Sequence, residues 1–208
     1  SKISKKFGLS IVEDAAHAAG AKYNGKKIGN HGNCVCFSFH PVKNLAMPSG
    51  GAITINSKKG KQFSEILKSK RWAGITGRKG PIYDVSNLGW NYYMNEFSAA
   101  IGLEQLKKLN KTNSQRKKIG KRFSKELKIE EKMPFNENCS FHFYWIQVKN
   151  RKNFMKKMSE NKIETGIHYN PIHKMSFYNS KIVLPITETA SSRIVSLPTH
   201  PNLTDNDI

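Results

Sequence analysis

Four side chains in the first fifty residues have types and positions suited to covalent chemistry on a bound group. Asp14 and His17 lie in Ile11-Val12-Glu13-Asp14-Ala15-Ala16-His17, and Ser38 and Lys43 lie in Phe37-Ser38-Phe39-His40-Pro41-Val42-Lys43. A lysine beside dry, packed backbone loses its proton more readily and becomes a nucleophilic amine. A carboxylate at the end of a strand can hold a proton on a ring nitrogen, and a hydroxyl can donate to a phosphate. Each residue also has a plainer reading. With 35 Lys and Arg in the chain, an ordinary solvated loop lysine is the default for Lys43. Asp14 suits a helix N-cap, His17 a structural histidine, and Ser38 an inward hydroxyl on a core strand.

The elements that must position these residues are strand, loop and strand. Cys34 to Phe39 is β-prone and almost wholly apolar, as expected of a strand buried on both faces. Pro41 ends the ladder because it has no N–H, Ser49-Gly50-Gly51 forms a tight turn, and Ala52 to Ile55 resumes an apolar β run. Upstream, the Ile11 strand delivers Asp14 at its carboxyl end. An acid, a hydroxyl and a lysine in this order suit pyridoxal phosphate. That cofactor needs a lysine for its Schiff base, an acid on its pyridinium nitrogen and donors for its phosphate.

EDAAHA, FSFHPVKN and SGGAI, followed in order by LGWNYYMNEFSAAIGLEQL, GIHYNPIH and SLPTHPNLTDNDI, resemble the DegT/StrS-type (DegT/DnrJ/EryC1/StrS) family of pyridoxal-phosphate-dependent sugar aminotransferases. The resemblance spans nearly the whole chain, and several ordered motifs are far more specific than one. It implies a fold-type I α/β architecture, with part of a large domain built on a mixed sheet and a small C-terminal α/β domain. Lys43 matches the catalytic lysine, and Asp14 the partner of the pyridine nitrogen. His17 matches a ring-contacting position, and Ser38 a phosphate-contacting serine. Asn91 matches an asparagine that reaches the phosphate from a partner subunit, which implies a homodimer with shared active sites. His168, Tyr169 and His173 fall where the small domain approaches the sugar or amino donor. The implied reaction moves an amino group from L-glutamate onto a nucleotide-linked keto-sugar, for amino-sugar or cell-surface polysaccharide biosynthesis. The chain departs from the pattern twice. Tyr93 stands where an arginine is common, leaving Arg71 or Arg78 as substitutes, and Met47-Pro48-Ser49 replaces an acidic residue before the glycine pair. Both departures bear on the substrate.

The opening Ser-Lys-Ile-Ser-Lys-Lys-Phe-Gly reads as a helix tail ending at Gly8, and the close at Asn206-Asp207-Ile208 as the capped start of another helix. The expectation is the C-terminal portion of a longer protein, cut at both ends and inactive by itself. Between these ends, Tyr23-Asn24-Gly25-Lys26 is turn chemistry, and Phe63, Ile66 and Leu67 mark an amphipathic helix. Residues 71–86, with three glycines and a proline, read as loop. A helix capped by Asn95-Glu96 is expected to run to Leu109, as plain core or as a subunit contact. A second block begins near Lys111, giving domains 1–111 and 112–208. It is expected to hold a helix through Ile119, Phe123 and Leu127, a strand from Phe141 to Val148, a helix at Phe154 to Met158, and a strand from Ile163 to Tyr169.

Composition narrows the remaining classes. Apolar residues make up 38% of the chain, but 3 Trp, 7 Tyr and 11 Phe argue for a folded protein. The net charge of +20 is spread as lysine over helix faces, without an arginine-rich arm, so solvated faces are favoured over nucleic-acid binding. Cys34, Cys36 and Cys139 read as small core residues of a reducing, cytoplasmic compartment. No apolar run has the length of a membrane span, and no carboxylate or cysteine joins His168 and His173 at metal-ligand spacing. The rival functions are a sugar dehydratase using the same cofactor, which Lys43 disfavours because those relatives carry histidine there, a non-catalytic regulatory relative, and a basic nucleic-acid-binding module.

Overall fold

The structure is a computed structural model that describes every residue except 1, 33 and 179. It divides into two compact units, residues 1–111 and 112–208.

Unit 1 opens on helix α1 (Lys2–Phe7); Ser1, which the expected helix tail included, lies outside the described residues. Gly8 closes the helix at φ +63°, where Leu9 N–H reaches the Ser4 carbonyl, an arrangement that favours glycine. Strand β1 (Val12–Asp14) follows. Strands β2 (Lys22–Tyr23) and β3 (Lys26–Lys27) form a minimal hairpin whose turn residues, Asn24 and Gly25, both take positive φ. Strand β4 (Cys34–Ser38) runs parallel to β1, with Asp14 opposite Cys36. Strand β5 (Gly51–Ile55) returns antiparallel to β4, so the three-stranded sheet is mixed, in the order β1-β4-β5.

Only Val35 of β4 is fully buried; its other residues are half-exposed, and Val12 of β1 is 69% exposed. The expectation of burial on both faces is corrected here. β4 is the central strand and paired on both sides, but of its side chains only Phe37 packs against the unit 1 core of Ala19, Leu45, Met47 and Leu109, so the faces of the strand are covered only in part.

Helix α2 (Gly60–Arg71) carries Phe63, Ile66 and Leu67. Residues 71–86 are not loop, as their glycines suggested, but contain a second hairpin. Strand β6 (Ile75–Lys79) pairs with β7 (Ile82–Val85), with Gly80 at φ +60° in the turn and Pro81 just outside β7, where no ladder N–H is lost. Helix α3 (Glu96–Glu126) is capped as expected, the Ser98 N–H donating to Asn95 Oδ1 at 2.8 Å. It does not stop at Leu109. No glycine or proline lies between Leu109 and Ile119, so the two expected helices are one. The core of unit 1 gathers Ala19, Leu45, Met47 and Leu109, with Phe37, Phe39 and Met94 packed around them.

In unit 2, strand β8 (Tyr144–Gln147) is shorter than the expected Phe141–Val148, since Phe141 sits at φ +45°, outside the β region. Helix α4 (Arg151–Glu160) is capped by Asn150, whose side chain accepts the Asn153 N–H at 3.0 Å. The expected strand Ile163–Tyr169 is reduced to one bridge, Gly166 with Ser196, because Glu164 and Gly166 are poor strand formers. Helix α5 (Pro185–Arg193) and strand β9 (Ile194–Leu197), which pairs antiparallel with β8, were not expected, nor was a 3₁₀ turn at Ile172–Lys174. The core packs Ile119 and Phe123 of α3 against Phe141, Tyr144, Ile146, Val195 and Leu197. Each such side chain contributes about 1.5–3 kcal/mol by leaving water. The buried Tyr144 hydroxyl donates to the Met133 carbonyl at 2.7 Å, and burial raises the pKa of its phenol.

All three cysteines are free, and burial, with Cys34 and Asp14 nearby, raises the thiol pKa of Cys36. Among the described residues, no helix is long and apolar enough to cross a membrane, and no group of three His, Cys, Asp or Glu side chains could hold a metal ion.

Candidate active site

The parallel pairing of β1 and β4 brings two predicted residues to one edge of the sheet. Asp14 ends β1, Ser38 ends β4, and both strands run toward the same edge. In open α/β sheets this carboxyl edge is where ligands bind, because backbone and side chains converge there without blocking the ladder. The exposed Asp14 carboxylate accepts the Ala16 N–H on Oδ1 at 2.9 Å. No helix follows it, so Asp14 closes an Asx turn and is not a helix N-cap. One carboxylate oxygen remains for another partner. Half-buried His17 lies in the turn that follows, tied by the Ala18 N–H to the Ala15 carbonyl at 2.9 Å.

Lys43 follows β4 by five residues, in a loop held at both ends. Its own N–H donates to the His40 carbonyl at 2.8 Å, and the Met47 N–H donates to the Phe39 carbonyl at 2.8 Å. The Phe39 N–H in turn reaches the Gly50 carbonyl at 2.9 Å, and the Ser38 hydroxyl accepts the His40 N–H at 3.4 Å. A loop tied this way fixes where Lys43 leaves the backbone. Its side chain is half-buried, and its amine has no hydrogen bond or ion pair among the described residues. A nucleophilic lysine needs this freedom, because an ion-paired ammonium holds its proton.

Asn91 is exposed and held by backbone bonds beside α2. It bridges Trp72, while the Trp90 and Tyr92 N–H groups donate to the Lys70 and Arg71 carbonyls at 2.7 and 2.8 Å. Asn91 lines a cleft of about 810 Å³ with Ser49, Gly51, Lys70, Arg71 and Tyr93; Asp14, His17, Ser38 and Lys43 do not line it. Arg71, a suggested substitute for the missing arginine, has its guanidinium 5.9 Å from the ring centre of Tyr93. Arg78 faces Trp72 at 4.7 Å instead.

The three candidates in unit 2 lie on one segment, held by side chains of α5 and β9. His168 Nδ1 lies 2.8 Å from Ser196 Oγ, and its ring stacks on Phe143 with centres 5.1 Å apart. A Cβ on Gly166 would come 2.9 Å from that ring, so only glycine fits there without shifting it. The exposed Tyr169 has its carbonyl bonded by the Ser191 hydroxyl at 3.1 Å. His173 sits in a 3₁₀ turn (Ile172–Lys174), with Nε2 3.0 Å from Glu188 Oε1. The same oxygen accepts the Leu184 N–H at 3.0 Å and faces Lys174 Nζ at 3.2 Å. Three donors, the His173 ring foremost, hold the Glu188 carboxyl at about 2. Glu188, Ser191 and Ser196 were not singled out from sequence. A proline opening a helix with an acid in its first turn was the available signal for Glu188.

The profile of the DegT/DnrJ/EryC1/StrS aminotransferase family matches residues 1–208. The chain is 30% identical to MJ1066 of Methanocaldococcus jannaschii, an uncharacterized protein, over all of this chain and 59% of that one. Among solved structures it resembles Helicobacter pylori PseC, an aminotransferase involved in the biosynthesis of pseudoaminic acid. That match has TM-score 0.89 and 28% identity, and covers 99% of this chain and 58% of PseC. A Streptococcus pneumoniae protein in its PLP form matches with TM-score 0.87 and 25% identity, over 99% of this chain and 57% of the other. The 208 residues therefore span a little under three-fifths of the length of these relatives. With the family profile matched from end to end, the fold is that of fold-type I aminotransferases, and the chain belongs to the DegT/DnrJ/EryC1/StrS aminotransferase family.

Proposed function

We propose that the protein carrying this chain is a pyridoxal-phosphate-dependent aminotransferase that moves an amino group from L-glutamate onto a nucleotide-linked keto-sugar. The observation that carries the reading is the juxtaposition at one sheet edge. The acid of β1, the hydroxyl of β4 and the unpaired amine of the next loop follow one another there. The residues fit the cofactor by their chemistry. Asp14 has an uncommitted oxygen for a pyridinium N–H, Ser38 a hydroxyl for a phosphate, and Lys43 a free amine for an aldehyde. The PLP form of the S. pneumoniae relative and the sugar pathway of PseC support the same reading.

Pyridoxal phosphate, when bound, supplies an electron sink that stabilises negative charge at the donor's Cα. Everything else falls to the chain. Asp14 would keep the proton on the ring nitrogen. Lys43 Nζ would hold the cofactor and, once released, would carry the proton from the donor's Cα to the cofactor's C4′ carbon within one half-reaction and in the reverse direction in the other. His17 borders the ring, and Ser38 donates to the phosphate. Asn91, exposed beside Tyr92 and Tyr93, donates its amide to the phosphate held by a second copy, so the working unit is a homodimer. His168, Tyr169 and His173 contact the sugar or the donor. A panel of nucleotide-linked keto-sugars, assayed with glutamate for 2-oxoglutarate release, tests this function. Turnover of at least one sugar is expected, and glutamate-dependent turnover of none would remove it.

A further inference from the structure

We propose that Glu188 is the positioning residue for His173, turning the imidazole so that Nδ1, as a hydrogen-bond acceptor, is the atom offered to a substrate hydroxyl. The substrate half of this inference rests on the reading of His173 given above. Glu188 Oε1 lies 3.0 Å from His173 Nε2, and a carboxylate held at about 2 is ionised and can only accept. The proton of the neutral ring is therefore on Nε2, and Nδ1 keeps a lone pair. Nδ1 has no partner among the described residues. Among the described residues, the buried side-chain atoms left unpaired are on His31, Thr54, Ser57 and Arg116, and none is on His173. Only 11% of the His173 side chain is exposed, so the ring is otherwise enclosed and cannot turn freely.

The same oxygen ties three places in the chain together. It bonds the 3₁₀ turn through His173 and Lys174, and the backbone just before α5 through the Leu184 N–H. Between these anchors lies a segment with Phe177 at 91% and Val183 at 68% exposure. Such side chains cannot anchor the segment by burial, so the Glu188 bonds hold its two ends. A histidine presented this way recognises a donor. A sugar hydroxyl suits it, whereas a phosphate or carboxylate oxygen, itself an acceptor, does not.

The protein carrying this chain, labelled with ¹⁵N-histidine, tests the clasp at pH 8, above the ordinary imidazole range. Two-bond proton–nitrogen spectra are expected to show His173 protonated on Nε2 and bare on Nδ1, with an Nε2 proton slow enough in exchange to be seen directly. Glu188→Ala is expected to lose that slow proton, while Glu188→Gln, whose carbonyl still accepts, keeps it. With the keto-sugar nucleotide turned over best, Glu188→Ala is expected to raise KM about tenfold at nearly unchanged kcat. The Gln variant is expected to stay within about threefold of wild type, and Glu188→Ala added to His173→Ala to change nothing further. A proton on Nδ1, or a slow Nε2 proton that survives Glu188→Ala, overturns the clasp. A changed ring signature with KM unchanged upholds it and overturns the assignment of His173 to the substrate.

Discussion

Two carboxylates illustrate opposite needs. Asp14 is exposed with one oxygen uncommitted, as expected of a group that must accept a proton-bearing partner, whereas Glu188 already takes three donors on one oxygen. Asp14→Asn is expected to slow the half-reaction with glutamate on the order of 10²–10⁴-fold while the cofactor still binds, because a neutral amide cannot hold the ring proton. Single-turnover absorbance checks this, and an unchanged rate would return Asp14 to its Asx turn alone. Glu188 has a consequence for acid stability. Its carboxyl is held at about 2, below the ordinary 4.5, so its contribution is fully present above about pH 4.5 and fades as pH falls toward 2. Unfolding midpoints between pH 5 and 2 are expected to fall less steeply for Glu188→Gln than for the wild type. The placement of Asp14 and Ser38 at one sheet edge, with Lys43 in the loop that follows, was legible because their order along a strand-loop-strand unit is a chemical pattern. Glu188 was not, because its partners lie 15 residues away, across a segment with no periodicity.

Elements were legible where one signal dominated. Gly8 closing α1, Asn24-Gly25 turning β2 into β3, and Asn95 capping α3 all formed as their local chemistry dictates. Glycine misled the reading in residues 71–86, where it shapes a hairpin. It also failed to break α3, which contains both Gly102 and Gly120. These two glycines differ in what an added side chain would meet. Helix propensity favours alanine over glycine by about 1 kcal/mol at either position. A Cβ at Gly102 would meet the flexible end of Met47, which can move aside, while a Cβ at Gly120 would come within 2.5 Å of the Phe141 ring, which has 0% exposure. Gly102→Ala is therefore expected to be near neutral, and Gly120→Ala to destabilise by about 1–3 kcal/mol. Denaturant midpoints decide between the two, and equal shifts would mean that packing around Phe141 is looser than its burial implies.

At the scale of the whole molecule, the role proposed for Asn91 requires two copies. Asn91 sits among exposed aromatics, Tyr92 at 71% and Tyr93 at 53%, consistent with a surface that meets a second chain. Lys43→Ala and Asn91→Ala subunits, each weakly active alone, are expected to recover activity on mixing, toward one intact site per heterodimer. Confirmed heterodimers without recovery would mean that each site is built from one chain. The central claim is narrower, that Lys43 among the many lysines of this chain holds the cofactor. Borohydride reduction of the pyridoxal-phosphate-loaded protein, followed by peptide mass mapping, tests it most directly, because reduction fixes the cofactor to whichever lysine carries it. The account predicts one modified peptide, containing Lys43, that disappears in Lys43→Ala. Modification at another lysine, or an undiminished label in Lys43→Ala, would contradict it.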